Sequence, residues 1–436
     1  MNKACYSLSL DPKPIKGLPH GGLARSAIAS PAARTARRVA GPPLAYGRIK
    51  YVISRRTFAL GGSAAGFGAL AACGPKKASG FSGYAFVANQ DGGAIAAVDL
   101  QVFAVARHIR IDGSPTAVLA NPMLGRVYAL TPDTGSVHEI LTSNLTFARK
   151  LRVCQEAFQM RLAPYGNALY VLCRQPRQLV RVALDPLRID WTLPLPDDPA
   201  DFDLSPDGAT VAISSGAGCS ITFVDVRNRR ASSPIRTTGE IGLVRFQPPH
   251  GDAARAQSDS RQLIAANVSQ RMLSIFDVPK ARLVVNLPLA VRPDHICFKA
   301  DGGQVFVTGD GMDSVVVVYP YYTPQIGQTV LAGHNPGAMA ASTSPGYLFV
   351  ANPKSAVVSI LDIDTGKVLA VTPVGTEPSC ITITPDDQYA LILNQASGDM
   401  AVIRIANVTA ARWKKGPLFM LIPVGSKPVS AAVVAI

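Results

Sequence analysis

The sequence is poor in charged residues and lacks the short motifs that mark common enzyme classes. Charged residues make up 17% of its 436 residues and apolar residues 48%, which is enough for a large core and argues against a disordered chain. We find no GxSxG nucleophile elbow, Walker loop, HExxH zinc motif, CxxCH haem motif or glycine-rich dinucleotide fingerprint. These absences remove enzymes that depend on one short motif. They do not exclude a site assembled from residues far apart in sequence.

Cysteine and histidine are also too few and too scattered to indicate a metal centre or a disulfide framework. Apart from Cys5 and Cys73, five cysteines remain, with no CxxC pair: Cys154, Cys173, Cys219, Cys297 and Cys380. Most of them sit inside apolar runs, so we expect small buried side chains and no disulfide framework. The six histidines are equally dispersed. We therefore expect no metal site and no cofactor.

Acidic residues are almost missing from the first 72 positions. This segment holds eleven Lys and Arg against one acid, Asp11, whereas the remainder holds 32 basic and 28 acidic residues. The net charge of +14 therefore belongs mainly to the N-terminal segment. Because nucleic-acid binding requires a strongly basic surface, and the main part of the chain is nearly neutral, we expect no nucleic-acid partner.

The N-terminal segment carries features of a targeting signal. Ser54 to Leu60 reads SRRTFAL, an Ala- and Gly-rich stretch follows, and Cys73 ends the sequence LAAC. The stretch is too short and too rich in glycine for a membrane span. Together these features resemble a twin-arginine export signal joined to a bacterial lipobox. The resemblance implies export dependent on Arg55 and Arg56, cleavage before Cys73, and a lipid on its thiol.

This resemblance sets the expected domain boundaries. Residues 1–72 would be the leader, 73–82 the lipidated cysteine and a short linker, and 83–436 the folded domain, anchored on the periplasmic or cell-surface side. Residues 1–51 are long for such a leader, and Val52 is an alternative start. The competing interpretation is a chance arginine pair before a buried helix, with Cys73 an ordinary core thiol.

From residue 83 onward the chain repeats a four-strand pattern. The clearest copies are GYAFVANQDGGAIAAVDL, RQLIAANVSQRMLSIFDV and GYLFVANPKSAVVSILDI. Each copy contains two β-rich runs around a turn and an Asp near the end of the second run, namely Asp99, Asp277 and Asp362, with Asp225 in a weaker copy. A third run follows, and then a fourth that is introduced by proline. Four strands per unit without a helical period predict the blades of a β-propeller.

The fourth run fixes the number of blades. It starts at positions 115, 157, 199, 241, 293, 336, 378 and 428, so successive starts are 42 to 52 residues apart. The longer spacings contain polar or irregular stretches such as GDAARAQSDS. Eight starts predict an all-β fold with eight four-stranded blades, and seven blades, the commoner number, is the alternative.

The two ends of the repeat region complete one blade between them. In a propeller blade we expect the proline-introduced run to be the innermost strand, followed outward by the other three runs. The unit that begins at Gly83 has only the outer three runs, and the segment Pro428 to Ile436 is an innermost strand with no unit after it. An apolar strand of this kind is an aggregation hazard when it is left unpaired. We therefore expect the C-terminal strand to pair with the N-terminal blade and to close the ring.

Several copies resemble the YVTN-type repeat of bacterial and archaeal β-propellers, including YncE-like proteins. The resemblance rests on YAFVAN, YLFVAN, SILDIDTGKVLAVTPVGTEPSCITITPDD and IPVGSKPVSAAVV, and it covers residues 83–436. An Asn ends the first run of a copy, which is the second strand of the blade when the innermost strand is counted first. This Asn is kept at Asn89, Asn267, Asn352 and Asn394. Such repeats occur in surface-layer proteins, periplasmic propellers and lactonase-like enzymes, so the resemblance implies the fold and leaves the function open.

Polar residues break the repeat on neighbouring innermost strands. Alternate positions of these strands are apolar and are expected to pack between blades: Val118, Met160, Phe202, Val244, Ile296, Met339, Ile381 and Ala431. The intervening positions include a polar group at two levels, Gln159, Asp201 and His295, and then Arg161, Asp203 and Arg245 two residues further on. These six are the candidate ligand-binding residues.

Two interpretations of Arg161, Asp203 and Arg245 stay open. In the first interpretation, the three residues form a structural ion network, because a partly buried charge needs a partner. Alternatively they form a site for an anion or a carboxylate, in which Asp203 orients two guanidinium groups toward the channel.

His295 and an aromatic corner offer further candidates. His295 is expected near Asp310 and Asp313 of its own blade, as a surface cluster, a metal site or an acid–base pair. The sequence YPYYT, from Tyr319 to Thr323, replaces the usual Asp-containing corner. It would either plug a blade edge or stack on a ring-shaped ligand.

The sequence favours a non-catalytic lipoprotein of the cell envelope that binds or scaffolds an unidentified protein or small molecule. Its only contact with the membrane would be the lipid anchor. The alternative is a lactonase-like or other hydrolytic propeller enzyme, with His295 as the base and Arg161 or Arg245 holding a developing oxyanion. A stoichiometric divalent metal ion in the purified protein would favour the enzyme.

Overall fold

The structure is a computed structural model that describes residues 80–249, 262–321, 323–408 and 416–436. Arg55, Arg56 and Cys73 of the expected export and lipidation signals lie outside these residues, as do the polar insertion at 251–260 and Tyr322. Helix is confined, within the described ranges, to two 3₁₀ turns at Pro353–Ser355 and Ile405–Asn407. No described helix is long and apolar enough to cross a membrane.

The described chain folds into eight antiparallel sheets, which we number as blades 1 to 8. Their strands are short and rich in Val, Ile and Ala, and polar turns separate them, as the repeat pattern predicts. Blades 1 and 2 contain β1 (Gly83–Asn89), β2 (Ala94–Asp99), β3 (Ala104–Arg110), β4 (Ala117–Asn121), β5 (Arg126–Thr131), β6 (Ser136–Leu141) and β7 (Thr146–Arg152). Blades 3 and 4 contain β8 (Glu156–Leu162), β9 (Ala168–Gln175), β10 (Gln178–Leu184), β11 (Leu187–Pro194), β12 (Asp201–Leu204), β13 (Thr210–Ser215), β14 (Ser220–Asp225), β15 (Arg230–Ala231) and β16 (Ile235–Arg236).

The second half of the ring has the same organisation. Blades 5 and 6 contain β17 (Ile241–Phe246), β18 (Gln262–Asn267), β19 (Met272–Asp277), β20 (Arg282–Pro288), β21 (Arg292–Phe298), β22 (Val305–Asp310), β23 (Ser314–Tyr319) and β24 (Gln325–Leu331). Blades 7 and 8 contain β25 (Met339–Ala341), β26 (Tyr347–Asn352), β27 (Val357–Asp362), β28 (Val368–Pro373), β29 (Pro378–Ile383), β30 (Tyr389–Asn394), β31 (Asp399–Arg404) and β32 (Leu418–Pro423). The last strand, β33 (Pro428–Ala435), belongs to blade 1.

The innermost strands form a closed circle. In order around the circle they are β33, β4, β8, β12, β17, β21, β25 and β29, and each contacts the next. Strand β33 pairs antiparallel with β1, from Gly83 opposite Ala435 to Asn89 opposite Pro428. The fold is therefore an eight-bladed β-propeller closed by its C-terminal strand, which confirms the predicted count of eight and shows that the alternative of seven is wrong.

Both faces of an innermost strand pack against neighbouring blades. Val118 belongs to the apolar cluster shared with blade 1, and Leu119, the next residue, belongs to the cluster shared with blade 3. The expectation that only one set of alternate positions packs between blades is therefore incomplete. A propeller blade stands radially, so both sheet faces meet a neighbour and only the strand edge lines the axis.

The Asp repeated near the end of the second run of each copy, which is the third strand of the blade when the innermost strand is counted first, closes the turn that follows. The carboxylate of Asp99 accepts a hydrogen bond from the backbone N–H of Gln101 at 2.8 Å, and that of Asp362 accepts one from the N–H of Thr365 at 2.7 Å. Asp225 accepts the N–H of Asn228 at 2.9 Å. This hydrogen bonding of a carboxylate to the chain two or three residues ahead is a turn-forming interaction, so the repeated Asp is structural.

One cysteine expectation is wrong. Cys154 and Cys173 form a disulfide with a Cα–Cα distance of 6.5 Å, whereas Cys219 is a free thiol. Cys154 lies in the β7–β8 connection, and Cys173 pairs across the sheet with Ala157 of β8. Register shifts on both sides of Ala157 bring the connection back over Cys173. Sequence spacing alone does not reveal this proximity, because it depends on the bulges.

Candidate ligand site on the innermost strands

Four consecutive innermost strands carry the six candidate residues. Strand β8 carries Gln159 and Arg161, β12 carries Asp201 and Asp203, β17 carries Arg245, and β21 carries His295. Because these strands are neighbours in the ring, side chains on facing blades meet. The structure joins the two arginines and the two aspartates in one network, and it places His295 within the electrostatic influence of Arg245.

Asp201 is the centre of this network. Its side chain is fully buried, one carboxylate oxygen lies 3.3 Å from the Nη2 atom of Arg161, and the other forms an ion pair with Arg245. The second oxygen also accepts the backbone N–H of Val244 at 3.0 Å. The sequence pointed to Asp203 as the residue between the two arginines, but Asp201 has this role. An arginine side chain is long enough to reach back one level along the strand, so shared strand position does not fix the partner.

Asp203 has a secondary place. One of its carboxylate oxygens accepts the backbone N–H of Phe246 at 2.8 Å, and the other lies 3.7 Å from the Nε atom of Arg161. Burial raises the pKa of Asp203 above its ordinary value, and the charges of Arg245 and Arg161 oppose that effect. Asp203 therefore ties the edge of β17 to β12.

The arginines lie between blades and are almost inaccessible to solvent. Arg161 is 5% exposed and Arg245 is 9% exposed. The guanidinium carbon of Arg161 is 5.6 Å from the centre of the Phe202 ring, and Arg245 donates to the carbonyl of Val244 at 2.5 Å. Two positive and two negative groups leave the network with no net charge, which removes the electrostatic reason to expect an anion.

In other blades, uncharged side chains make the equivalent hydrogen bonds to the backbone of the next innermost strand. Ser430 on β33 accepts the N–H of Val118 on the next innermost strand, with its hydroxyl at 3.2 Å, as Asp201 accepts the N–H of Val244. The hydroxyl of Thr382 on β29 donates to the carbonyl of Ala431 on β33 at 3.5 Å. The edge of an innermost strand has unpaired backbone groups, and a side chain from the preceding blade satisfies them. The carboxylates of Asp201 and Asp203 thus have the same structural function as these hydroxyl groups, because each accepts a backbone N–H from the edge of the next innermost strand.

Gln159 and His295 each hold a buried polar atom that makes no hydrogen bond within the described residues. These atoms are Oε1 of Gln159 and Nδ1 of His295. Burial, and to a lesser extent the charge of Arg245, lowers the pKa of His295 to about 4, so its imidazole is neutral at pH 7. Buried polar atoms normally have a partner. The described residues contain further buried polar atoms without one, among them Asn89 Oδ1 and Asn352 Oδ1, and Gln159 and His295 differ from these two in lying on innermost strands that carry or adjoin the ion network.

The structure does not assemble the other predicted cluster. Burial, and after it the charge of Asp310, raises the pKa of Asp294 above its ordinary value. Asp313 instead pairs with His334, at 3.1 Å from its Nδ1 atom. The described residues contain no group of three potential metal ligands. Within the described residues, His295 therefore makes no ion pair or hydrogen bond with Asp310 or Asp313, and each of these carboxylates has a different neighbour.

The aromatic corner is only partly described. Tyr319 packs against the apolar cluster between blades 6 and 7, and the hydroxyl of Tyr321 donates to the carbonyl of Asp301 at 3.4 Å. These contacts agree with a structural plug at a blade edge.

The sequence did not reveal a second buried charge cluster, on blade 2. Glu139 is fully buried and pairs with Arg126 at 2.9 Å and Arg149 at 2.5 Å. His138, also fully buried, accepts or donates a hydrogen bond at 2.9 Å to Thr131. Burial, followed by the charge of Lys150, lowers the pKa of His138 to about 4. The signal available in the sequence was the adjacent His and Glu in the third strand of blade 2, because most other copies have apolar residues, Ser or Thr at these two positions and only blade 3 has a charged one, Arg181.

Two clefts lie away from the candidate residues. One of about 730 Å³ separates blades 4 and 5 and is lined by residues such as Phe223, Arg230 and Val278. The other, of about 740 Å³, lies where blades 8 and 1 meet and is lined by polar residues that include Glu377 and Lys427. None of the six candidate residues lines either cleft.

Comparisons with known proteins agree with the fold. No family model matches the chain. The chain is similar to the seven-bladed β-propeller protein Rv1057 of Mycobacterium tuberculosis, with 28% identity over 134 residues, which are 29% of this chain and 34% of that protein. The chain thus matches about a third of the length of this curated relative, and the two differ by one blade.

Solved structures extend the similarity over most of the ring. The dihydro-haem d1 dehydrogenase NirN, solved in complex with DHE, has a TM-score of 0.65 at 13% identity, covering 81% of this chain and 75% of that chain. Hydrazine synthase of Kuenenia stuttgartiensis has a TM-score of 0.52 at 19% identity, covering 67% and 96%. A functionally unknown protein from Desulfotomaculum acetoxidans DSM 771 has a TM-score of 0.51 at 13% identity, covering 73% and 98%. At these identities the likeness concerns the fold alone, and that fold is a β-propeller.

Proposed function

We propose that the protein is an exported, lipid-anchored β-propeller that binds a small polar ligand and catalyses no reaction. The observation that carries the binding proposal is that two buried polar atoms on the same arc of four innermost strands, Gln159 Oε1 on β8 and His295 Nδ1 on β21, make no hydrogen bond within the described residues. The amide oxygen is an acceptor, and the neutral imidazole has one acceptor and one donor nitrogen. A ligand that supplies hydrogen-bond donors, such as a polyol or an amide, matches these groups.

The neutral ion network favours a binding site over a catalytic one. Arg161 and Arg245 are both engaged with Asp201, so neither is positioned to stabilise only a developing oxyanion. No carboxylate orients His295, and a pKa of about 4 makes it a weak base at neutral pH. The hydrolytic alternative therefore has less support. The rigid network is suited to holding the neighbouring strands in a fixed position.

The export and anchoring proposal rests on the sequence Ser54 to Leu60 and on Cys73. The Cys154–Cys173 disulfide supports it, because disulfides persist in oxidising compartments outside the cytoplasm. Arg55 and Arg56 changed to Lys should leave the protein in the cytoplasm. Cys73→Ser should abolish lipidation and release the protein from membranes, as fractionation and palmitate labelling would measure. Unchanged membrane association of the Cys73 variant would contradict the anchor.

The binding proposal is tested by a melting series. Wild type and the double variant Gln159→Leu with His295→Phe are heated with a panel of polyols, amides, carboxylates, phosphates and lactones. A ligand that binds the folded state raises the melting temperature of the wild type and not that of the variant. The unliganded variant should be at least as stable as the wild type, because it loses buried polar atoms without partners. A panel that stabilises both proteins equally would reject this site.

A further inference from the structure

Exposed apolar side chains are concentrated at the corner where blades 8 and 1 meet. Among the described residues fifteen large apolar side chains are exposed, and five of them lie on the segments that form this corner: Val102, Phe419, Met420, Leu421 and Ile436. Val102 is 66% exposed and Leu421 is 48% exposed. A cluster of this kind on a soluble domain marks a contact surface for another body. We call these five residues the apolar corner.

Aromatic contacts join the two blades at this corner. The ring of Phe103, next to Val102, lies 5.0 Å from the ring of Phe419 and 5.1 Å from that of Tyr389, in edge-to-face arrangements. The N–H of Ile436 donates to the carbonyl of Ser82 at 3.1 Å. The first and last described segments of the propeller therefore meet the outer strand β32 in one place.

The chain enters the propeller at the same corner. A Cβ atom on Gly80 would lie 2.1 Å from the carbonyl oxygen of Leu100 and 2.8 Å from the Phe103 ring, so the backbone of Gly80 is pressed against this turn. Six residues separate Gly80 from Cys73. Even a fully extended chain of that length spans only about 25 Å. A lipid on Cys73 would thus keep the apolar corner close to a bilayer surface.

We propose that the apolar corner is a membrane-facing surface that rests in the headgroup region of the bilayer to which the protein is anchored. This inference rests on the proposed lipid anchor and adds a defined orientation of the propeller. Only side chains enter the interface, because β32 is an edge strand and its unpaired backbone groups require water or headgroup partners. The anchor raises the local concentration of the corner at the surface, so weak side-chain partitioning suffices.

Two solvent-accessible methionines allow a test within one molecule. Met420 belongs to the apolar corner and is 37% exposed, whereas Met312 is partly exposed in the turn between β22 and β23 of blade 6, at the opposite end of the blades. The full-length protein is oxidised with hydroxyl radicals in isolated membranes, and the Cys73→Ser protein is oxidised in solution. We expect Met420 to oxidise at least about fivefold more slowly on membranes, with little change at Met312. Equal oxidation of Met420 in both states would overturn the proposal.

Variants separate the corner from the anchor. Val102→Asp with Leu421→Asp should remove the protection of Met420 while the lipid still holds the protein in the membrane fraction. The matched control, Leu283→Asp with Val284→Asp, changes two exposed apolar residues of blade 5 on the far side of the ring and should keep the protection. Loss of Met420 protection in the control variant as well would overturn the membrane assignment. Protection of Met420 that appears in solution as the protein concentration rises would also overturn it, and would indicate that a second copy of the chain covers the corner. Absence of the wild type from the membrane fraction would reject the anchor itself and the inference with it.

Discussion

Replacement of Asp201 by alanine is the sharpest perturbation of the inner ring. The change removes a fully buried carboxylate that lies between the guanidinium groups of Arg161 and Arg245. It also removes the acceptor of the Val244 N–H at 3.0 Å. Asp203 remains, but at 3.7 Å from Arg161 and with its other oxygen occupied by the Phe246 N–H, so it replaces Asp201 only in part.

The expected cost is a large fraction of the total stability. Removing one partner from a buried ion pair costs about 3–5 kcal/mol, because the other charge stays buried. An unpaired backbone N–H costs about 1–3 kcal/mol, and the two effects overlap because the same cavity can relax around both. We expect about 4 kcal/mol for Asp201→Ala, against a typical domain stability of about 5–15 kcal/mol. Asp201→Asn should cost less, since the amide oxygen still accepts the Val244 N–H.

The assay is chemical denaturation of wild type, single variants and a quadruple variant. The quadruple variant Arg161→Leu, Asp201→Ser, Asp203→Asn and Arg245→Leu copies the uncharged arrangement of blades 1 and 2, where Ser430 accepts the Val118 N–H. Asp203→Asn is included because Asp203 would otherwise lose both neighbouring arginine charges, and the amide oxygen can still accept the Phe246 N–H. The quadruple variant should recover most of the lost free energy of unfolding, because buried ion pairs are often replaced by uncharged residues without loss. An Asp201→Ala midpoint close to that of the wild type would refute the structural role of the network, and a quadruple variant no better than Asp201→Ala would refute the physical reason.

Three further perturbations test other parts of the fold. Deletion of Pro428–Ile436 removes the innermost strand of blade 1 and several buried apolar side chains, each of which contributes roughly 1–2 kcal/mol. We therefore expect aggregation or a much lower melting temperature, and a monomer with an unchanged melting temperature would refute closure by β33. The variant Cys154→Ser with Cys173→Ser loses a crosslink across 19 residues and should unfold about 3 kcal/mol more easily, whereas equal denaturation midpoints with and without reductant would exclude a stabilising disulfide. His138 and His295 have pKa values of about 4 in the folded protein, against an ordinary value of 6.5 in the unfolded chain. The unfolded state therefore binds more protons than the folded state below pH 6.5, and the free energy of unfolding should fall from pH 6.5 toward pH 4. His138→Gln should flatten that decline in urea midpoints measured across this range, and an unchanged slope would contradict the assignment.

The sequence predicted the fold well because each blade repeats the same physical signals. Alternating apolar runs, a turn closed by Asp and a proline before the innermost strand recur at nearly constant spacing, and each is a local effect. The unpaired strand at Pro428 to Ile436 had one suitable partner, the incomplete first blade. Blade number and ring closure therefore followed from counting repeats.

The site was harder to predict because it depends on geometry between blades. Strand alternation grouped Arg161, Asp203 and Arg245 at one level, but the reach of an arginine side chain decided that Asp201 and not Asp203 lies between the two arginines. Bulges near Ala157 brought Cys154 to Cys173, and no sequence signal marks such a register shift. Interactions across blades are set by side-chain length and register, which a repeat pattern does not encode.

Native mass spectrometry of the protein taken from cells tests the binding proposal most directly. The central claim is that Gln159 and His295 hold a small polar ligand, so the wild type should carry an additional mass that is lost in Gln159→Leu with His295→Phe. The control Gln155→Leu with His108→Phe makes the same chemical changes at exposed positions and should keep the additional mass. An additional mass that is equal in all three proteins, or missing from the wild type, would contradict a ligand site on the innermost strands.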